Sequence, residues 1–193
     1  EVLGHEVGHR WLARLRFRGT AGRTGGELLG RGAVHWSFFL DSDASVMEGN
    51  DIEDLGGGRF RTVDFARGYS ALDQYAMGLR APGEVPPVFY VEQADDFRPS
   101  RAYKASSAPE GGVSFTGVRR EVTIEDVIAE MGPRLPGADR APRVLRQAFV
   151  LVEDAAAAAT AERRAAVERI RSRFEGYFRQ ATGGRGSVET RLP

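Results

Sequence analysis

Apolar residues recur every three to four positions in parts of the chain and predict several helices. The first covers residues 1–17, and the longest covers 155–181, where a pair of glycines stops it. Between them, Ser70 can cap a short helix with the sequence ALDQYAMGL, which ends at Gly78 or shortly after it. Thr123, followed by two acidic residues in a first turn, predicts one further helix start.

Strands are predicted where β-branched and aromatic residues cluster or alternate with polar ones. These stretches are Arg59–Val63 and residues 86–93, 112–124 and 144–152. The glycine-dense segment 18–34 is predicted to be a loop that can contain a hairpin. Residues 35–58 are predicted to be structured but irregular. Helices and strands together predict an α+β fold in one domain over residues 1–193, in which residues 1–82 carry the functional site and 83–193 support it.

Composition excludes several classes of protein. The 193 residues contain 27 Lys and Arg against 27 Asp and Glu, which does not favour nucleic acid as a partner. Cysteine is absent, so disulfides and thiolate metal sites are excluded. No apolar run approaches the roughly 20 residues that a membrane span needs. The sequence begins at Glu1 inside a predicted helix, and we therefore expect a fragment whose upstream part, including any targeting segment, is missing.

The motif His5-Glu6-Val7-Gly8-His9 carries the predicted chemistry. On a helix, two histidines four residues apart project from the same face, about 6 Å from each other. This spacing lets both imidazoles bind one tetrahedral Zn²⁺ at about 2.0–2.1 Å. Glu6 is offset by one residue and can reach a water molecule in the open coordination position without binding zinc itself. We therefore predict one catalytic zinc, with Glu6 as the general base that passes a proton to the leaving amine.

A helix with two structural histidines is the alternative interpretation of this motif. Two of the chain's three histidines fall within the motif, however. The apolar flanks also predict burial, and an unpaired cluster of His and Glu side chains would be costly there. These two observations favour the metal site.

The third zinc ligand has several candidates, because the motif does not continue as the metzincin pattern H-E-x-x-H-x-x-G-x-x-H. We expect Asp73, since its predicted helix is short enough to pack across the first helix. Asp73 would otherwise be a first-turn acid that the helix dipole stabilises. The other candidates stay open, and they are His35, Asp41, Asp43 and Glu48.

Other side chains can contribute to such a site. His35 is a candidate for binding the substrate carbonyl as the transition state forms, and Tyr75 and Tyr69 are candidates for stabilising the oxyanion. Structural roles are the alternative for all three. Met47 is a candidate for the floor of the metal site, although a packed methionine is the favoured interpretation. Segment 41–45 leaves a Ca²⁺ site open, but it lacks the EF-hand pattern.

Three segments resemble bacterial zincin-type metallopeptidase domains, which are often large and extracellular. They are GHEVGHRW, HWSFFLDSDASVMEGN and YSALDQYAMGL, within residues 1–80. The aspartate and tyrosine downstream of the motif are also similar to those of the aspzincins, although the GTxDxxYG pattern of that family reads SALDQYAM here. The resemblance implies hydrolysis of peptide bonds at zinc, by a bacterial protein that is secreted or on the cell surface.

From these observations we predict a zincin-like catalytic domain in which the motif helix and a second metal-ligand helix meet at a cleft. A small sheet lies beside them, and the long C-terminal helix packs behind. The predicted activity is that of a zinc-dependent endopeptidase, whose protein or peptide substrate lies along a sheet edge. The alternatives are a non-catalytic surface or adhesion module with a structural or degenerate metal site, and metal-dependent hydrolysis of another substrate class.

Overall fold

The computed structural model describes residues 1–11, 14–19, 22–96, 103–154, 158 and 160–191. The chain divides into two compact units, Glu1–Ala141 and Pro142–Pro193. Both units contain helix and strand, which confirms the α+β class. All the residues of the predicted site belong to the first unit, and the prediction of one catalytic domain over residues 1–193 stays a prediction.

Five strands of the first unit close into a small barrel in the order β3-β4-β5-β7-β6. Their bounds are Leu40–Asp41 (β3), Asn50–Asp54 (β4), Arg59–Phe65 (β5), Val88–Asp96 (β6) and Ser114–Val122 (β7). Neighbouring strands are antiparallel except β3 and β4, which are parallel. The barrel encloses a mostly aromatic core of Phe38, Ile52, Phe60, Phe89, Val91, Tyr103, Val113 and Phe115. Because closure removes sheet edges, the topology of this barrel does not support the predicted binding of a substrate along it.

The first helix, α1, spans Val2–Gly8 and is much shorter than predicted. Residues 9–11 form a turn in which the Arg10 N–H donates to the Val7 carbonyl and the Trp11 N–H to the Gly8 carbonyl. Further on, Arg14 has a φ of 121°, which no helix accommodates. The prediction of one helix through residue 17 is therefore wrong.

The end of that predicted helix is a strand instead. Strand β1 spans Phe17–Arg18 and pairs antiparallel with β2, Thr24–Gly25, which confirms the hairpin. Phe17 is buried, and its ring lies 5.8 Å from that of Tyr90 on the barrel. The packing of Phe17 in the tertiary structure thus outweighs the helical spacing of apolar residues in this segment.

The next helix begins and ends as the sequence predicts, and the one after it begins as predicted. Helix α2 spans Ala71–Met77, with Ser70 as its N-cap and Gly78 as its C-cap at a φ of 77°. Helix α3 spans Ile124–Met131 and begins with a capping box between Thr123 and Asp126. A side-chain oxygen at each N-cap accepts from a backbone N–H that the helix leaves unpaired, which fixes the first turn.

The second unit contains β8 (Val144–Arg146), α4 (Ala161–Ala181) and β9 (Ser187–Glu189). Strands β8 and β9 pair in parallel, and the prediction of a strand through residue 152 is too long. Thr160 caps α4, so the helix begins later than the predicted residue 155; residues 155–157 and 159 lie outside the described residues. In the part of the chain that the structure describes, no helix has the length and apolar character to span a membrane.

Candidate metal centre

Helix α1 and the segment before β3 bring the chain's three histidines together. His5 Nε2 lies 3.1 Å from His9 Nε2 and 3.2 Å from His35 Nε2. One potential ligand atom from each side chain lies within 4.8 Å of those of the other two, and they form a group that could hold a metal ion. His35 is buried and the other two are half-buried. Of the candidates for the third ligand, the structure thus places His35 beside the motif.

Two backbone carbonyls orient the rings of this group. His5 Nδ1 donates to the Val46 carbonyl at 2.9 Å, and His35 Nδ1 donates to the Arg31 carbonyl at 2.7 Å. A carbonyl can only accept, so each Nδ1 carries a proton and each neutral ring keeps its lone pair on Nε2. Two such lone pairs 3.2 Å apart repel unless a proton or a cation lies between them.

The distances fit a tetrahedral metal ion. With metal–nitrogen bonds of about 2.0–2.1 Å, neighbouring ligand nitrogens of a tetrahedral site lie about 3.3 Å apart. The 3.1 and 3.2 Å separations between the Nε2 atoms are close to that value. Hydrogen bonds from Nδ1 to backbone carbonyls are also the usual support of metal-binding histidines. The donor set and its orientation therefore fit a metal ion.

Helix α1 is held in place by groups that are distant in the sequence. The Tyr69 hydroxyl donates to the Gly4 carbonyl at 2.5 Å, one residue before the first histidine. On the next turn, Gly8 packs against Met47, whose sulfur occupies the space of a β-carbon on residue 8. Met47 is fully buried. It thus packs under the motif helix, and Tyr69 is engaged in a structural hydrogen bond.

Glu6 is exposed on α1 and lies close enough to the group to act on it electrostatically. Burial, together with the repulsion that protonated His5 and His35 would exert, lowers the pKa of His9, while Glu6 acts in the opposite direction. A lowered pKa keeps His9 neutral near pH 7, the form that binds a metal. The position of Glu6 is compatible with its predicted role as a base, which stays a prediction.

Arg31 and Glu48 lie at the border of the histidine group. Arg31 Nε donates to Glu48 Oε2 at 3.0 Å, and Arg31 Nη2 donates to Glu48 Oε1. The same Nη2 lies 3.2 Å from His35 Nε2, and Glu48 Oε1 lies 3.8 Å from it. Burial alone would raise the pKa of Glu48, but the hydrogen bonds from Arg31 and the nearby charges outweigh it and leave that pKa lowered. Arg31 was missed from the sequence, where only its four-residue spacing from His35 could have indicated it.

Asp73, the expected third ligand, is not part of the histidine group. Its carboxylate is fully buried and accepts from Trp36 Nε1 at 2.9 Å, from Ser45 Oγ at 2.5 Å and from the Ser70 N–H at 2.7 Å. Burial raises the pKa of Asp73, although these hydrogen bonds oppose the change. Asp73 completes the capping box of α2 and ties it to the segments that carry His35 and Met47. The structure thus engages this carboxylate in a structural network instead of with the motif histidines.

Two further candidates lie away from the group. The Tyr75 hydroxyl is buried and accepts from the Arg134 N–H at 3.0 Å, and its predicted contact with an oxyanion stays a prediction. Asp41 accepts from the Ile52 N–H at 3.0 Å, and burial raises its pKa to about 6. Among the described residues, the three histidines are the only group of three or more His, Asp or Glu side chains whose ligand atoms converge, and neither Asp41 nor Asp43 belongs to such a group.

A cleft runs past the C-terminal end of α1. It has a volume of about 170 Å³ and is lined by Trp11, Leu15, Tyr75, Ala76, Val127, Met131, Gly132, Pro133 and Arg134. A larger cavity of about 410 Å³ shares Tyr75, Pro133 and Arg134 with it and extends along residues 135–140. Apolar side chains and arginines line most of these two cavities, and Trp11 is the lining residue nearest to the motif in the sequence.

Comparisons of this chain with protein-family models, curated proteins and solved structures found no match. The geometry of the histidine group and of the residues around it is therefore the basis of the candidate function.

Proposed function

We propose that this chain is a zincin-like, zinc-dependent endopeptidase domain in which His5, His9 and His35 bind the metal and Glu6 is the general base. His35 replaces Asp73 as the proposed third ligand because its Nε2 lies 3.2 Å from that of His5. Three segments within the first 80 residues resemble bacterial zincin-type metallopeptidase domains, which are often extracellular, and this supports a site of action outside the cell or on its surface.

One observation carries the proposal: three imidazole nitrogens lie within 4.8 Å of one another, two of the pairs at close to tetrahedral spacing, and backbone carbonyls orient two of the rings. Structural zinc sites are closed by four protein ligands, whereas catalytic sites keep one coordination position open. Three histidines with no fourth residue in the same group, among the described residues, favour a catalytic site.

Glu6 is the residue to which we assign proton transfer. It follows His5 directly, is exposed, and interacts electrostatically with His9. A zinc ion held by the histidines would supply Lewis acidity to the reaction. The Glu6 carboxylate takes a proton from the attacking water and delivers it to the amine that leaves, a step that a well-placed carboxylate accelerates by about 10²–10⁴.

The cleft beside α1 is the proposed binding region for the substrate. Trp11, which lies two residues after His9, and Met131 offer apolar contacts for a peptide side chain. The larger cavity, which shares three lining residues with the cleft, adds Leu135, whose side chain is exposed, and Arg80. A peptide is a suitable substrate because it presents apolar side chains and a hydrolysable carbonyl along one extended backbone.

One observation favours the non-catalytic alternative. Glu48 Oε1 lies 3.8 Å from His35 Nε2, so a small movement would make this carboxylate a fourth ligand. A shell of three histidines and one glutamate would be closed, as in a structural site.

The test combines metal binding with hydrolysis. The purified protein is loaded with Zn²⁺, its affinity is measured by chelator competition, and hydrolysis of fluorescently labelled casein is followed. We expect one zinc per chain, and for Glu6→Gln an unchanged metal affinity with activity reduced by about 10²–10⁴. Glu1→Gln, at the start of the same helix, is the matched control and should keep full activity.

The outcomes separate the candidate functions. Failure to bind stoichiometric zinc would refute the metal centre, and full activity of Glu6→Gln would refute the assigned base. Tight zinc binding without hydrolysis of either casein or shorter peptides prepared from casein would instead favour the non-catalytic module.

A further inference from the structure

Arg31 contacts both a metal-ligand candidate and the nearest carboxylate. Its Nη2 lies 3.2 Å from His35 Nε2 and also donates to Glu48 Oε1, while its Nε donates to Glu48 Oε2 at 3.0 Å. Both oxygens of Glu48 are therefore bound to one guanidinium. Such a paired arrangement fixes the orientation of the carboxylate as well as its position.

Glu48 is the one carboxylate in ion-pair range of the histidine group among the described residues. Its distance of 3.8 Å from His35 Nε2 is only slightly longer than the edge of about 3.3 Å in a tetrahedral zinc site. A carboxylate is an ordinary zinc ligand, and a free Glu48 at this distance would complete the shell.

The guanidinium opposes that outcome in two ways. It engages both Glu48 oxygens, so binding to a metal ion would require breaking two charge-assisted hydrogen bonds. It is also permanently charged, and a metal ion at His35 Nε2 would repel it from the contact that it now makes there. Because Arg31 is largely exposed, it can move towards solvent while it remains paired with Glu48.

On the basis of the proposed function, we propose that Arg31 is a positioning residue that keeps Glu48 out of the metal's coordination shell and so leaves the fourth position open. The two alternatives for this centre, an open catalytic site and a closed structural site, then differ by one ion pair. Arg31 acts through Glu48, and its role does not require contact with a substrate.

The test removes the guanidinium and measures the metal centre directly. In Arg31→Met, Glu48 loses its partner and becomes the fourth ligand. We expect the Kd for Zn²⁺ to fall at least tenfold and casein hydrolysis to fall at least tenfold. After loading with Co²⁺, the visible spectrum of the wild-type protein should change when acetohydroxamate is added, whereas that of Arg31→Met should not.

A second variant separates this role from a substrate contact or a folding defect. In the double variant Arg31→Met/Glu48→Gln, the weaker amide ligand leaves the fourth position open again. We expect the Zn²⁺ affinity, the response to acetohydroxamate and most of the hydrolysis to return towards wild-type values. Arg61→Met is the matched control, because Arg61 makes an exposed pair with Glu53 on the barrel, at 2.7 Å.

Unchanged Zn²⁺ affinity and an unchanged response to acetohydroxamate in Arg31→Met would overturn the inference. Continued loss of activity in the double variant, with zinc affinity restored, would also overturn it, since Arg31 would then act on the substrate. These results differ from a failure of the proposed function, in which the wild-type protein itself would bind no zinc or hydrolyse no peptide.

Discussion

Gly8 and Met47 are in direct contact, with the methionine sulfur lying where a β-carbon on residue 8 would be. Residue 8 stands between the two histidines of the motif, and Met47 follows Val46, whose carbonyl orients His5. Val46 and Met47 thus fix both the position of α1 and the orientation of His5. Glycine at position 8 allows this close approach without displacing the buried end of Met47, and the helix itself would tolerate a larger residue.

Gly8→Ala should therefore damage the site even though alanine favours helices. Its β-carbon would overlap Met47, which is fully buried, and forcing extra volume into a packed core costs about 1–3 kcal/mol. We expect the free energy of unfolding in urea to fall by about that amount and zinc affinity to weaken. Gly83→Ala, where the added β-carbon meets open space, is the control. Equal stability of Gly8→Ala and the wild-type protein would contradict the close contact.

Asp73→Asn should lower stability without removing the metal. An amide nitrogen cannot accept from Trp36, Ser45 and the Ser70 N–H, so at least one buried donor loses its partner. A lost hydrogen bond to a charged group costs about 1.5–3 kcal/mol. Denaturant unfolding should show a loss of about this size, and chelator titration should still show one zinc per folded chain. Loss of zinc from a fully folded Asp73→Asn protein would restore Asp73 as a ligand.

Histidine NMR spectroscopy can test the metal centre without any mutation. All three histidines of the chain belong to the candidate group, so every imidazole signal reports on it. On addition of Zn²⁺ we expect the Nε2 resonance of each ring to shift, while Nδ1 of His5 and His35 keeps its proton. A ring that binds through Nδ1, or one that does not respond to zinc, would contradict the arrangement.

Asp41 should make the protein less stable as the pH rises from about 4 to about 6. Its pKa is about 6 in the folded chain against an ordinary value of 3.8, so between these values the folded state binds more protons than the unfolded state. Stability from this group is complete below pH 3.8 and is lost as the pH rises through 6.

Asp41→Asn keeps an oxygen for the Ile52 N–H and removes the buried charge. We expect it to stabilise the protein by about 1–3 kcal/mol at pH 7 and to have little effect at pH 3.5, as measured by chemical denaturation. Asp139→Asn changes an exposed side chain and serves as the control. A stabilisation that is the same at both pH values would show that the charge of Asp41 is not its cause.

Local sequence chemistry predicted those helices whose ends are fixed by their own residues. Ser70 and Thr123 mark the beginnings of α2 and α3 because a cap involves only side chains three residues away. The same spacing could have identified Asp73 as the partner of Ser70 in a capping box instead of a ligand. The short β4 was missed, since its strand character depends on pairing with β5.

The candidate site was predictable only in part for the same physical reason. His5 and His9 share one helical turn, so their convergence follows from helix geometry. His35 joins them through a contact across 30 residues, which depends on how the chain packs in three dimensions. The ion pair of Arg31 with Glu48 depends equally on that packing and leaves no local pattern.

Helix α1 has seven residues, fewer than the roughly 12–15 that an isolated helix needs to be stable in water. Contacts with Tyr69, Met47 and the Val46 carbonyl therefore stabilise this helix. Grafting HEVGH onto a scaffold would transfer the two imidazoles but not their mutual orientation. Transfer of this metal centre to another protein would therefore require residues 45–48 as well as the motif.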